Sequence, residues 1–239
     1  MALPKLNAIK YRMTIPSLQR EVTYTPYNVR QEKNLMIALE SNNTSQMNEQ
    51  LKTLITECVD LGDVRVDELP TFDIETIFLN LRCRSVGESI KVGVKCTECD
   101  ATNELPLQLN NVSMTNENYK LSNNVIRLDE ENGIGVTLKY PTLDSTSAID
   151  QDGNDLDNTI AMIAGCIESI FTKDEVFDCK NESQKEIIDF IESLNTEQFT
   201  KMAEFFADIP SVKMDVKFKC SKCGEENNQV VQGLQSFFT

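Results

Sequence analysis

Two short stretches of the chain, Ile90-Lys-Val-Gly-Val-Lys-Cys-Thr-Glu-Cys99 and Met214-Asp-Val-Lys-Phe-Lys-Cys-Ser-Lys-Cys223, repeat one pattern that decides the fold class. In each stretch apolar residues alternate with polar ones, which predicts a strand with one buried face. Each strand runs into a Cys-x-x-Cys turn, and a second apolar segment follows the turn. Asn103 and Asn227 hold matching places in these second segments. The repeat therefore predicts two similar β-hairpins.

The cysteines of the two turns form a candidate metal site. A structural Zn²⁺ takes four ligands in tetrahedral geometry, and four cysteines are a common ligand set. The residue after each second cysteine, Asp100 or Gly224, tolerates the left-handed backbone that a zinc knuckle needs. We therefore predict two zinc-knuckle hairpins that share one structural Zn²⁺ per chain. The predicted ligands are Cys96, Cys99, Cys220 and Cys223.

Other interpretations of these cysteines remain open. The turns can carry four thiols without a metal, and the two pairs stand much further apart than the roughly 15–20 residues of a usual zinc ribbon. A thioredoxin-like redox function is disfavoured, because its Cys-x-x-Cys motif begins a helix, whereas these turns lie between strands. Several lysines near the turns offset the negative charge of four thiolates. These lysines are Lys91, Lys95, Lys217, Lys219 and Lys222.

The composition argues against several classes of function. The 239 residues include 38 acidic and 23 basic side chains, and the net charge of −15 disfavours binding to nucleic acid or anionic lipid. Histidine is absent, which removes the Ser-His and Cys-His catalytic arrangements. Glycine-rich phosphate motifs and long apolar segments are also missing. We therefore predict a non-enzymatic protein that binds other proteins, with no nucleic acid, membrane or small-molecule substrate as partner.

The hydrophobic period changes twice along the chain and predicts an α+β protein in three parts. Residues 1–85 are predicted to form a strand pair followed by a helical region. Residues 86–140 and 211–239 are predicted to form a small antiparallel β module that holds both cysteine turns. Residues 141–210 are predicted to form a helical insertion in that module.

Particular helices can be predicted within these parts. Apolar residues at helical spacing predict one broad, heavily buried helical face that runs from Leu156 to Phe171. Asn28 and Ser183 each stand three residues before a Gln or Glu, which predicts capping boxes at two helix starts. The other cysteines lie mostly on apolar stripes and are predicted to fill the core. They are Cys58, Cys83, Cys166 and Cys179.

Two further stretches resemble one protein family. They are Tyr24-Thr-Pro-Tyr-Asn-Val-Arg-Gln-Glu-Lys-Asn-Leu-Met-Ile-Ala-Leu-Glu-Ser41 and Leu69-Pro-Thr-Phe-Asp-Ile-Glu-Thr-Ile-Phe-Leu-Asn-Leu-Arg-Cys-Arg-Ser-Val-Gly-Glu88. Together with the paired cysteine turns, they are similar to the baseplate hub subunit and hub assembly protein family of T4-like contractile-tailed bacteriophages. The resemblance is close in the N-terminal part and looser in the helical insertion.

The resemblance implies a non-enzymatic tail protein that is a component or an assembly factor of the baseplate hub. It implies other phage baseplate or hub proteins as partners, and a location in the virion tail baseplate or in the cytoplasm of the infected bacterial host. Within the two stretches, the basic residues predicted to contact a partner are Arg30, Lys33, Arg82 and Arg84.

One alternative function comes from the cysteine turns alone. A zinc-ribbon adaptor that regulates another macromolecular machine, such as transcription, carries similar turns. An adaptor that binds nucleic acid should present a basic face, and the strongly acidic composition disfavours this alternative.

Overall fold

A computed structural model of the protein describes residues 9–41, 43–115, 124–147, 155–207 and 209–233. Helices and small antiparallel sheets make up these residues, so the predicted α+β class is confirmed. The chain divides into two compact units. The first combines Met1–Thr115 with Ser211–Thr239, and the second is Asn116–Pro210.

The helices, in chain order, are α1 (Val29–Glu40), α2 (Thr44–Cys58), α3 (Thr71–Ser85), α4 (Leu143–Ser147), α5 (Asp155–Cys166), α6 (Gln184–Glu192) and α7 (Thr196–Ala207). The strands are β1 (Tyr11–Ile15), β2 (Arg20–Tyr24), β3 (Val59–Asp60), β4 (Ser89–Lys95), β5 (Thr102–Gln108), β6 (Ser113–Met114), β7 (Val125–Asp129), β8 (Ile134–Leu138), β9 (Ile167–Phe171), β10 (Val176–Asp178), β11 (Val212–Lys219) and β12 (Glu226–Gln232).

The described residues of the first unit form three small antiparallel sheets. Their strand orders are β1-β2-β3, β4-β5 and β12-β11-β6. The alternation predicted for β4 and β11 is confirmed, because one face of each strand is buried in a shared apolar core. The residues that these two strands contribute to it are Ile90, Val92, Val94, Val212, Met214 and Val216.

Asp73 is a buried carboxylate in the first turn of α3. Its side chain is shielded from solvent. The backbone N–H of Ser17, in the β1–β2 turn, donates a hydrogen bond to Asp73 Oδ1 at 3.0 Å, and the Ser17 hydroxyl donates to Oδ2. Burial raises the pKa of Asp73 to about 6, although the hydrogen bonds from Ser17 act in the opposite direction. These hydrogen bonds from Ser17 to Asp73 therefore connect the β1–β2 hairpin to α3.

We expect this carboxylate to make stability depend on pH. The folded state holds the Asp73 proton more tightly than the unfolded chain, whose pKa is 3.8. Its contribution is therefore greatest below pH 4 and is lost as the pH rises through about 6. Between pH 4 and pH 7 the wild-type protein should lose about 2–3 kcal/mol of unfolding free energy relative to the Asp73→Asn variant.

Denaturant titrations of both proteins at several pH values measure this difference. Asparagine keeps an oxygen that accepts from the Ser17 N–H but has no charge to bury. A constant difference between the two proteins across this pH range, or a wild-type protein that gains stability relative to the variant as the pH rises, would contradict the prediction.

The second unit is built on a four-stranded antiparallel sheet with the order β10-β9-β8-β7. Residues of α5, α6 and α7 form one apolar core with the sheet. Ser183 makes the predicted capping box with Glu186 at the start of α6, and Asn28 makes the other with Gln31 at α1. The core includes Leu128, Val136, Leu138, Ile163, Ile167, Ile187, Ile191 and Met202.

The prediction of one helical face from Leu156 to Phe171 is wrong at both ends. Helix α5 ends at Cys166, and residues 167–171 form β9, which pairs with β8 and β10. Leu156 is 61% exposed. Strand β9 contains Ile167, Ile170 and Phe171, and β-branched and aromatic residues favour strands when partners are available. The insertion predicted to be helical therefore contains sheet as well.

The apolar residues between Val230 and Phe238 predict a closing strand, and β12 covers the first part of this segment as far as Gln232. Residues 234–238 lie outside the described part of the chain. The three-part division at residues 85, 140 and 210 stays a prediction. Among the described residues, every helix is too short or too polar to cross a lipid bilayer.

Candidate metal centre

The two Cys-x-x-Cys turns lie at matching ends of two matching hairpins. Strand β4 pairs with β5 so that Lys95 faces Thr102, and β11 pairs with β12 so that Lys219 faces Glu226. Strands β5 and β12 also share the same order of buried and exposed positions. The repeat that is visible in the sequence is therefore a repeat of local structure, and neither cysteine pair lies on a helix.

The backbone of the two turns is nearly the same. The N–H of Cys96 donates a hydrogen bond to the carbonyl oxygen of Ala101 at 2.9 Å. In the same way, the N–H of Cys220 donates to the carbonyl oxygen of Glu225 at 2.8 Å. Asp100 and Gly224 have φ angles of 53° and 78°. These two residues therefore occupy the left-handed region, as their positions after the second cysteines predict.

The four sulfur atoms of the turns lie within 4.8 Å of one another. Cys96 Sγ is 3.6 Å from Cys223 Sγ, and Cys99 Sγ is 3.7 Å from Cys220 Sγ. A disulfide would need about 2.05 Å, and all four cysteines are free. Sulfurs about 2.3 Å from one tetrahedral ion lie about 3.8 Å apart. The cluster therefore has the dimensions of a four-thiolate site that can hold one metal ion.

Backbone N–H groups in the turns favour the charged form of two of these thiols. The N–H of Cys223 contributes most to lowering the pKa of Cys220, which is about 6, and the N–H of Glu98 contributes most to lowering the pKa of Cys96. At Cys223 the N–H of Glu225 also acts to lower the pKa, but desolvation and the neighbouring sulfurs raise it to about 12. The turns therefore favour the thiolate form at Cys96 and Cys220, and a bound cation would favour it at the other two cysteines.

The lysines near the turns lie on the outer faces of the hairpins. Their side chains are exposed, as expected for residues that alternate with the buried positions of β4 and β11. Lys222 lies within the second turn and is exposed as well. These cations reduce the net negative charge around the thiolates without occupying the cluster.

The other four cysteines lie outside the cluster. Cys58, Cys166 and Cys179 are buried, and Cys83 is half-buried. Burial raises the pKa of each, to about 11 for Cys58 and Cys166. The prediction that these residues fill the core is confirmed for the three that are buried.

The residues predicted to contact a partner lie at the start of α1 and the end of α3, away from the cysteine turns in sequence. Arg30 and Lys33 are exposed on α1. Arg84 is exposed, and its guanidinium carbon lies 5.0 Å from the ring centre of Tyr11. Arg82 is half-buried, and its Nη1 atom is shielded from solvent without a hydrogen-bond partner among the described residues.

Sequence reasoning missed two residues of the centre. Asn103 and Asn227 are buried beside the cysteine turns, and the side chain of each bonds to the turn of the opposite hairpin. The repeat aligned these two residues, but a match in sequence carries no information about which hairpin each side chain contacts.

Comparison with known proteins agrees with the resemblance noted in the sequence. The family described as T4 bacteriophage base plate protein matches residues 8–239, so the chain belongs to this family of phage tail baseplate proteins. Among individual relatives, the baseplate hub assembly protein gp26 of Enterobacteria phage T4 is 24% identical over 212 residues, which cover 86% of this chain and 88% of that protein. No solved structure matches the chain.

Membership of this family makes the chain a phage tail baseplate protein. This membership implies a location in the virion tail or in the infected host. It confirms three predictions made above: the family, the class of function and the location. A structural baseplate family also indicates a non-enzymatic role. The alternative of an adaptor for another machine, such as transcription, receives no support from these comparisons.

Proposed function

We propose that this protein is a non-enzymatic component or assembly factor of the baseplate hub, which acts by binding other phage baseplate or hub proteins. The family match over residues 8–239 carries the proposal, and the name of the T4 relative, a hub assembly protein, supports the hub as the place of action. Nucleic acid, membrane and a small-molecule substrate are not part of the proposed function.

The proposal includes one structural Zn²⁺ held by Cys96, Cys99, Cys220 and Cys223. The sulfur separations of 3.6 and 3.7 Å support this ligand set. Zinc suits the role because it accepts four thiolates in a tetrahedral site and has no redox chemistry of its own. The pair of turns would then be zinc knuckles, and the bound metal would join the middle of the chain to its C-terminal strands.

We propose that the start of α1 and the end of α3 form a partner-binding surface. The N–H of Tyr27, just before α1, donates to the Ser85 hydroxyl at 2.9 Å, which brings these two helix ends together. Exposed apolar residues flank the bonded pair, since Val29 is 80% and Val86 50% exposed. The surface contains Arg30, Lys33, Arg82 and Arg84, which form a basic group on a chain of net charge −15.

This composition suits an acidic protein segment with apolar side chains. Charges at the edge of an interface steer the encounter, whereas buried apolar contacts supply most of the affinity. Salt should therefore weaken binding only in part.

Reversing two of these charges should weaken binding to a baseplate hub protein. We expect the double variant Arg30→Glu and Lys33→Glu to raise the Kd about tenfold, since each exposed ion pair contributes up to about 1 kcal/mol. The matched control is Lys180→Glu with Lys185→Glu, because both lysines are exposed and belong to the second unit. Titration calorimetry with purified hub proteins measures the difference. An equal loss in both double variants, or no loss in the first, would reject this surface.

The general function is tested in infected cells. An affinity-tagged copy should co-purify with baseplate hub proteins, and mass spectrometry of purified virions beside that sample separates a virion component from a transient assembly factor. Recovery with the transcription machinery, and with no tail protein, would overturn the proposed function.

A further inference from the structure

Two buried asparagines connect the cysteine hairpins in a reciprocal way. Asn103 lies on β5 of the first hairpin and Asn227 on β12 of the second, and both are about 5% exposed or less. Asn103 Oδ1 accepts hydrogen bonds from the Ser221 N–H at 2.8 Å and the Ser221 hydroxyl at 2.9 Å. Asn227 Oδ1 accepts from the Thr97 N–H at 3.0 Å and the Thr97 hydroxyl at 3.1 Å. Each asparagine therefore holds the residue that follows the first cysteine of the opposite turn.

The amide nitrogens complete the same exchange. Asn103 Nδ2 donates to Cys220 Sγ at 3.7 Å, and Asn227 Nδ2 donates to Cys96 Sγ at 3.5 Å. Each nitrogen also donates to a carbonyl oxygen of its own hairpin. Asn103 Nδ2 donates to the Ala101 oxygen at 2.9 Å, and Asn227 Nδ2 donates to the Glu225 oxygen at 3.1 Å. Both amides thereby use two donors and at least two acceptor positions, which is the full capacity of a buried asparagine.

We infer that Asn103 and Asn227 are positioning residues that lock the two hairpins together before any metal binds and that direct the sulfurs of Cys220 and Cys96 toward the centre of the cluster. A buried polar network with every group satisfied specifies one arrangement, because any other leaves unpaired groups in a region of low dielectric. The hydrogen bonds to sulfur fix the directions in which the Cys220 and Cys96 side chains point. Metal then enters a site whose ligands are already in place.

The effect of the asparagines on metal affinity rests on the proposed zinc site, because it requires that zinc binds. The locking of the hairpins involves only protein atoms and holds whether or not the cluster takes a metal. Two measurements therefore separate a failure of the lock from a failure of the metal site.

The first measurement uses NMR to monitor amide hydrogen exchange in the full chain, which is reduced and treated with a chelator. The Thr97 and Ser221 amides each report on one bond of the lock. In the metal-free wild-type protein we expect each amide to exchange at least about tenfold more slowly than in the variant that removes its acceptor. A tenfold difference in rate corresponds to the free energy of about one hydrogen bond. Those variants are Asn227→Ala for Thr97 and Asn103→Ala for Ser221. Asn228→Ala, at the next and exposed position of β12, is the control and should leave both amides protected.

Asn103→Asp keeps the lock testable even if the alanine variants fail to fold. Aspartate retains an oxygen that accepts from Ser221 but cannot donate to Cys220 Sγ. We therefore expect Ser221 to stay protected, while zinc affinity, measured by competition with a chromophoric chelator, falls about 10- to 100-fold.

The outcomes lead to different conclusions. Unprotected Thr97 and Ser221 amides in the metal-free wild-type protein would overturn the lock. Protected amides in a protein that takes no zinc would support the lock and reject the zinc site. Unchanged zinc affinity in Asn103→Asp would show that the asparagine does not position the sulfur.

Discussion

Replacing Cys96 by serine should abolish zinc binding and loosen the C-terminal hairpin, although the C-terminal cysteines lie more than a hundred positions away. Serine leaves three thiolates where a structural site needs four. At a free zinc concentration 1,000 times the Kd, the bound metal stabilises the folded chain by about 4 kcal/mol. Loss of this stabilisation should lower the Tm of a chain of this size by roughly 10 °C. Cys220→Ser should have the same effect, since either change leaves three ligands.

Elemental analysis of the purified protein and thermal unfolding with and without a chelator test this expectation. Wild-type protein should carry one zinc per chain, and both serine variants none. Cys83→Ser is the matched control, because it makes the same chemical change at a half-buried thiol outside the cluster, and it should keep the metal. Iron in place of zinc, or a serine variant with full zinc content and an unchanged Tm, would contradict the proposed site.

Replacing Phe78 by alanine should destabilise the first unit by about 3–5 kcal/mol, through lost apolar contacts and the cavity that remains. Phe78 is 1% exposed and lies on α3, which also buries Phe72, Ile74, Ile77, Leu79 and Leu81. A helix buried over most of its surface has few ways to relax around a missing ring, so the expected loss lies in the upper range for single substitutions.

Denaturant unfolding monitored by circular dichroism measures this loss. Val86→Ala is the control, because Val86 follows the same helix but is 50% exposed, and its substitution should change the unfolding free energy by less than about 0.5 kcal/mol. A loss below about 1 kcal/mol for Phe78→Ala would mean that the site collapses around the smaller side chain and that α3 is less tightly packed than its burial indicates.

Local patterns predicted the two hairpins and identified the four cysteines that lie together in the structure. Strands β4 and β11 follow from alternation over seven or eight residues, and the turns follow from cysteine spacing and from residues that accept a positive φ. The capping boxes at Asn28 and Ser183 are equally local. Each of these features depends on residues within a few positions of one another, so the sequence contains the information directly.

Prediction failed where a boundary depends on distant partners. The apolar residues near position 167 fit a continued helix as well as a strand, and only pairing with β8 and β10 makes β9 the better solution. The role of Asp73 is similar. Its position in a first helical turn suggests a favourable charge near the helix start, but its burial and its bonds to Ser17, 56 positions away, arise from packing against another element.

The sequence alone determined that this is an acidic, histidine-free α+β protein with two equivalent cysteine hairpins, because alternation, spacing and charge are properties of neighbouring residues or of the whole composition. The tertiary structure alone decided that the four sulfurs meet within 4.8 Å, and that Asn103 and Asn227 each hold the other hairpin's turn. The two hairpins are separated by a long stretch of chain, and bringing them together requires loop-closure entropy to be overcome by a shared apolar core. That balance depends on packing across the whole first unit, and no local motif contains it.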